Sequence, residues 1–122
     1  MTCRGARYNG GQPICPANLI SPSETADNAL ATATSAAPGS GLSHFVALIL
    51  AKFSSSATTG TLTYKHGATT ILTWPITGSD KIQPAVPIFV GDNVAVTATL
   101  SASGTPGITG TVTVLGFTAE VT

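Results

Sequence analysis

The side chains able to do acid–base, nucleophilic or metal chemistry are few: Cys3, Cys15, Glu24, Asp27, His44, His66, Asp80, Asp92 and Glu120. Catalysis needs a nucleophile beside its base, or a metal held by convergent ligands, and no spacing in the chain assembles either. Cys3, Cys15, His44 and His66 have the atoms of a zinc site but lack the short paired spacings that hold two ligands on one turn. Asp80, Asp92 and Asn93 could offer oxygens to calcium; without an Asp-rich run they read as makers of local turn hydrogen bonds. His66, just before Gly67, reads as a solvated hairpin-tip residue, and His44 as a polar flank of an apolar run. Residues 39–41, Gly-Ser-Gly, form a turn and no phosphate loop. No catalytic residue, metal or cofactor is therefore expected, and the protein is expected not to be an enzyme. The sharper chemical possibility is sugar binding, in which Tyr64 and Trp74 would form an aromatic platform against the apolar face of a glycan. The competing reading places Trp74, which precedes Pro75, in the core or at an interface.

Composition narrows the partners. The chain has 122 residues, of which 43% are hydrophobic but only 8% charged. Ordinary domains carry roughly 25% charged residues, so threonine, serine, glycine and alanine must cover much of the surface. Five basic and five acidic side chains cancel. That balance removes the electrostatic footprint of nucleic-acid binding and any polybasic attraction to a membrane. The longest apolar run, residues 45–51, falls far short of the roughly 20 residues that cross a bilayer. Residues 1–11 are polar and glycine-rich, unlike an export signal. Synthesis in a reducing compartment is expected, with Cys3 and Cys15 as thiols and a disulfide closing a small loop as the alternative.

The elements that would position these residues are strands. Residues 24–38 carry two signals. Ser21, Pro22 and Glu24 imitate a helix capping box, yet residues 29–34 alternate Ala or Leu with Thr, and the expectation is strand. Residues 43–54 are rich in β-formers with two apolar faces: Phe45, Ala47, Ile49, Ala51 and Phe53 against Val46, Leu48 and Leu50. One face suits a sandwich core and the other a neighbour or partner. Residues 61–76 read as a hairpin in which an odd loop or a bulge brings Leu62, Tyr64, Leu72 and Trp74 together. Pro84 and Pro87 place residues 86–90 on an edge or start that strand late. The last strand changes parity between Val114 and Leu115, which a bulge near Gly116 would reconcile. The sum is an all-β fold, an antiparallel sandwich of the jelly-roll or immunoglobulin-like kind over residues 24–122.

Residues 1–23 show no period and contain Gly5, Gly10, Gly11, Pro13, Pro16 and Pro22, so they read as an extended N-terminal arm. Ordering it costs about 1–2 kcal/mol per residue, more than its own apolar side chains offset. A partner surface would supply the rest, with Arg4 and Arg7 meeting acidic groups and Tyr8, Ile14 and Leu19 filling shallow pockets.

Four phrases carry a resemblance: Pro38-Gly39-Ser40-Gly41-Leu42 leading into Phe45-Val46, Gly67-Ala68-Thr69-Thr70-Ile71, the Pro87 strand running into Asn93-Val94-Ala95-Val96, and Val114-Leu115-Gly116-Phe117. In these the chain resembles small all-β virion proteins of tailed bacteriophages, above all capsid decoration or cement proteins. The resemblance implies a non-enzymatic subunit on the capsid exterior, assembled in the host cytoplasm and bound to the major capsid protein. It also implies a homo-oligomer, trimer or dimer, that stabilises the shell. The rival is a glycan- or host-surface-binding module of a tail or fibre; a minor neck or baseplate subunit is a third reading.

Overall fold

The computed structural model describes residues 18–121, together with the backbone of two short strands, β1 (Arg7–Asn9) and β2 (Gln12–Ile14), which pair with each other. The body is built from β3 (Asn18–Ile20), β4 (Ser23–Asp27), β5 (Ala31–Ser35), β6 (Leu42–Phe53), β7 (Thr59–His66) and β8 (Thr69–Thr77). It is completed by β9 (Ser79–Ile82), β10 (Ile88–Asp92), β11 (Val96–Leu100) and β12 (Thr109–Glu120). Two long strands, β6 and β12, pair at the centre of one sheet. Each of its edges is split: β10 and β9 share the free side of β6, and β3 and β4 share that of β12. The prolines explain the splits, because Pro22, Pro84 and Pro87 have no N–H to give a ladder. The second sheet has the order β5-β11-β7-β8, and every pairing is antiparallel.

With each split edge counted as one strand, the chain wraps between the sheets β4-β12-β6-β9 and β5-β11-β7-β8. That is the connectivity of a jelly roll, one of the two sandwich types expected. The strand expectation for residues 24–38 holds, as β4 and β5. Glu24 does not cap a helix; its Oε1 accepts the Thr32 backbone N–H at 3.0 Å, while Ala31 and Ala33 are buried against the core. The body starts earlier than the expected boundary at residue 24. Residues 18–20 pair with β12, opposite Thr118, Phe117 and Gly116, and Ser23 opens β4.

The core lies between the sheets. Val46, Ile49, Ala51, Phe53, Val112 and Val114 meet Leu62, Tyr64, Ile76, Val96, Ala98 and Leu100, all buried. Burying each of the larger side chains contributes about 1.5–3 kcal/mol. Bulges set the register. In the β7–β8 hairpin Ile71 is the extra residue, so Leu62 lies opposite Trp74 and Tyr64 opposite Leu72, as expected. Opposite Leu115 and Gly116 the extra residue is Ala47, on β6 and not on the last strand. The parity of β6 consequently differs from the simple alternation of its sequence. Val46 joins Ile49, Ala51 and Phe53 in the core, and Phe45 moves to the outer face with Leu48 and Leu50.

Candidate protein-docking face

The Ala47 bulge creates the main surface feature. Across the outer face of the first sheet the register aligns Leu19, Phe117, Phe45 and Phe89 on four neighbouring strands. Phe45 and Phe117 stack with ring centroids 5.1 Å apart and planes inclined by 11°. Phe45 and Phe89 are 5.5 Å apart and tilted by 50°. Leu19 remains 84% exposed and Phe89 54% exposed. The paired Leu48 and Leu115 continue the apolar surface, and Leu50, opposite Thr113, ends it. Beyond them the face turns polar, with Lys52 opposite Thr111 and hydroxyl bonds of 2.7 Å joining Thr25 to Thr111 and Ser23 to Thr113.

Gly116 makes the row possible. A Cβ at this position would overlap the Phe45 carbonyl oxygen, so β6 and β12 can approach this closely only at a glycine. On the inner side of the same strands His44 is buried, which corrects its reading as a solvated flank. Its Nε2–H donates to the Ala36 carbonyl at 2.7 Å, which leaves Nδ1 to accept from the Thr118 hydroxyl at 2.8 Å. Buried Ser43 accepts the Gly91 N–H at 3.1 Å and donates to the His44 carbonyl at 2.9 Å. The phenylalanine row thus rests on a strand pair fixed from behind.

The expected glycan platform separates. Tyr64 is fully buried between the sheets, so its ring offers no surface to a sugar. Its hydroxyl lies 2.6 Å from His66 Nε2, with the rings edge to face at 4.9 Å. Burial pushes the Tyr64 phenol up and holds the His66 imidazole below its usual range. Both shifts favour the neutral forms, and the His66 tautomer sets whether the phenol or Nε2–H is the donor. His66 is a half-buried partner of the core and not a solvated turn residue. Trp74 is 42% exposed at the sandwich edge, where its Nε1–H donates to Asp80 Oδ2 at 3.0 Å and ties β8 to β9 of the other sheet. Asp80 also accepts the Lys81 N–H at 2.8 Å, and these two bonds, Trp74's first, hold its carboxyl below the usual range. Beside this pair lies an open depression of about 390 Å³ lined by Leu50, Ala51, Lys52, Ser79, Asp80 and Lys81.

The oxygens of Asp92 and Asn93 are engaged too, not in the local turn bonds expected but with a turn 51 and 54 residues away. Asp92 Oδ1 accepts the Gly41 N–H at 2.7 Å and Asn93 Oδ1 the Gly39 N–H at 2.9 Å. Among the described residues no three His, Cys, Asp or Glu side chains gather as a metal site would require. Of the expected arm contacts, Leu19 lies in the phenylalanine row; Arg4 and Cys3 fall outside the described residues, as do Cys15 and the side chains of Arg7, Tyr8 and Ile14. The opposite outer face of the molecule is hydroxylic: Thr32, Thr99, Thr63 and Thr73 align across the second sheet, and Thr34 bonds Thr97 at 3.3 Å.

Sequence reasoning missed the row because Phe45, Phe89 and Phe117 come from three distant strands. The available signal was the second apolar face of residues 43–54. No protein-family model matches the chain, and no curated protein matches it. Among solved structures, the carbohydrate-binding module CBM36 in complex with calcium and xylotriose is similar at a TM-score of 0.35 and 14% identity, with 81% of this chain and 78% of that chain covered.

Proposed function

We propose that this β-sandwich is a non-enzymatic structural subunit that adheres to other protein subunits through the outer face of its β6–β12 sheet. The observation that carries the reading is the exposed row Phe89–Phe45–Phe117–Leu19. Phenylalanine and leucine offer no hydrogen bonds, so they suit an apolar protein surface better than a sugar, whose hydroxyls need polar groups at the platform. A rigid sheet presents these rings without loop ordering, which lowers the entropy cost of docking. In its finest form, supported by the resemblance of the sequence phrases, the assembly is a tailed-bacteriophage head. The protein would then decorate the capsid exterior as a dimer or trimer bound to the major capsid protein. It would cement the shell by binding only the mature state.

The test is capture on purified empty heads. The unaltered protein should sediment with heads in hundreds of copies, and the variant Phe45→Ser/Phe89→Ser should lose most of that binding while staying folded. Equal capture of both proteins would sink the reading.

One observation favours a second reading, a glycan-binding module: the half-exposed Trp74 bonds Asp80, which with Lys52, Ser79 and Lys81 lines the open depression. Saturable binding on a glycan array, lost in Trp74→Ala and kept in the phenylalanine variant, would select it.

A further inference from the structure

The phenylalanine row needs a cover, and its dimensions limit what that can be. Four strands at about 4.8 Å spacing make it about 14 Å wide, and from the phenylalanines to Leu50 it is of similar length. That is on the order of 200 Å², well below the roughly 800 Å² per partner of a standard interface. Two bodies pressed face to face on this patch alone would bind weakly. A short two-stranded segment, however, matches it in size.

The chain has such a segment. Seventeen residues precede Asn18, with β1 and β2 paired through Arg7↔Ile14, Tyr8↔Pro13 and Asn9↔Gln12. A hairpin of this length is marginal in water unless it packs on something. Its sequence supplies Tyr8, Pro13 and Ile14, with Arg4 and Arg7 the only charges. The segment joins the body at β3, beside the row itself, where Leu19 lies opposite Phe117.

We infer that the occupant of the row is the N-terminal segment, residues 1–17, of a second copy of this chain. The inference rests on the docking-face reading and names its partner. Reciprocal exchange in a two-fold pair makes the arm-on-row contact twice, so the contact area doubles without a larger patch.

Complementation tests this. Phe45→Ser/Phe89→Ser leaves an intact arm and a defective row; Tyr8→Ser/Ile14→Ser leaves an intact row and a defective arm. Sedimentation should show an oligomer for the unaltered full chain, a monomer for each variant alone, and a 1:1 pair when the two are mixed. Phe89→Ser alone, at the half-exposed rim, provides a milder row variant and should weaken the oligomer at least several-fold. A mixture that stays monomeric would overturn the inference. So would a monomeric full chain whose amides at residues 7–14 are protected at every concentration, since its own arm would then be the cover. Restored pairing without capture on heads would sink the capsid reading and leave the arm exchange standing.

Discussion

Trp74 Nε1 lies 3.0 Å from Asp80 Oδ2, a bond that joins the edge strands of the two sheets, β8 and β9. Because the indole donates to the carboxylate, Asp80 keeps its charge to lower pH than a free side chain would. The sign follows: this contribution is present at neutral pH and is lost as pH falls through the depressed folded value. As the chain has one tryptophan, its emission reports the bond directly. Emission should hold steady until the pH drops below about 4, near the ordinary aspartate value, and then shift. Asp80→Asn should abolish that step; an unchanged step in the variant would count against the assignment.

Phe53 and Phe117 should respond differently to truncation. Phe53 is buried in the core, whereas Phe117 stacks on Phe45 outside it. Phe53→Ala should cost about 3–5 kcal/mol. Phe117→Ala should cost about 0.5–1.5 kcal/mol, the worth of an aromatic pair. Urea denaturation of both variants checks the contrast, and similar losses would place Phe117 in the core.

Gly116→Ala should be among the most damaging single-methyl changes. Its Cβ would overlap the Phe45 carbonyl, which is backbone and cannot rotate away. A loss of about 1–3 kcal/mol is expected, as for other overpacked sites. Amide exchange should quicken on β6 and β12 around residues 45–48 and 115–117. A variant of unchanged stability would show that the strands separate freely here.

His66 should make stability depend on pH below neutrality. Its imidazole is depressed by burial, whereas the unfolded chain has the ordinary value of about 6.5. Between those values the unfolded state binds more protons, so stability rises with pH. The contribution is complete above about 6.5 and is lost as pH falls through the folded value. A proton-NMR titration should place the His66 midpoint below 6.5, and His66→Gln should flatten that part of the stability profile.

Much of the fold could be read from local chemistry. Alternation in residues 29–34 and the prolines around residues 84–87 each have a single-strand cause, and each led to the right element; the apolar residues on both parities of the last strand pointed to a bulge near Gly116 but not to the strand that carries it. The strand that holds the extra residue could not be read, because a bulge fits either partner of a pair. Placing it at Ala47 moved Phe45 out of the core, and only the registers of β10, β6, β12 and β3 bring Phe89, Phe45, Phe117 and Leu19 into line. His44 and Tyr64 were misjudged for a related reason. Their burial depends on Ala36, Thr118 and His66 arriving as hydrogen-bond partners, and two of those contacts span strands or loops.

The two sheets turn opposite chemistries outward, rings and leucines on one and threonines on the other. A subunit built this way has a top and a bottom. Wherever its aromatic side is seated, the hydroxyl-lined side, with Lys65 set beside Thr97, is left to meet the solvent, so an array of copies would share one orientation and show a single water-compatible exterior.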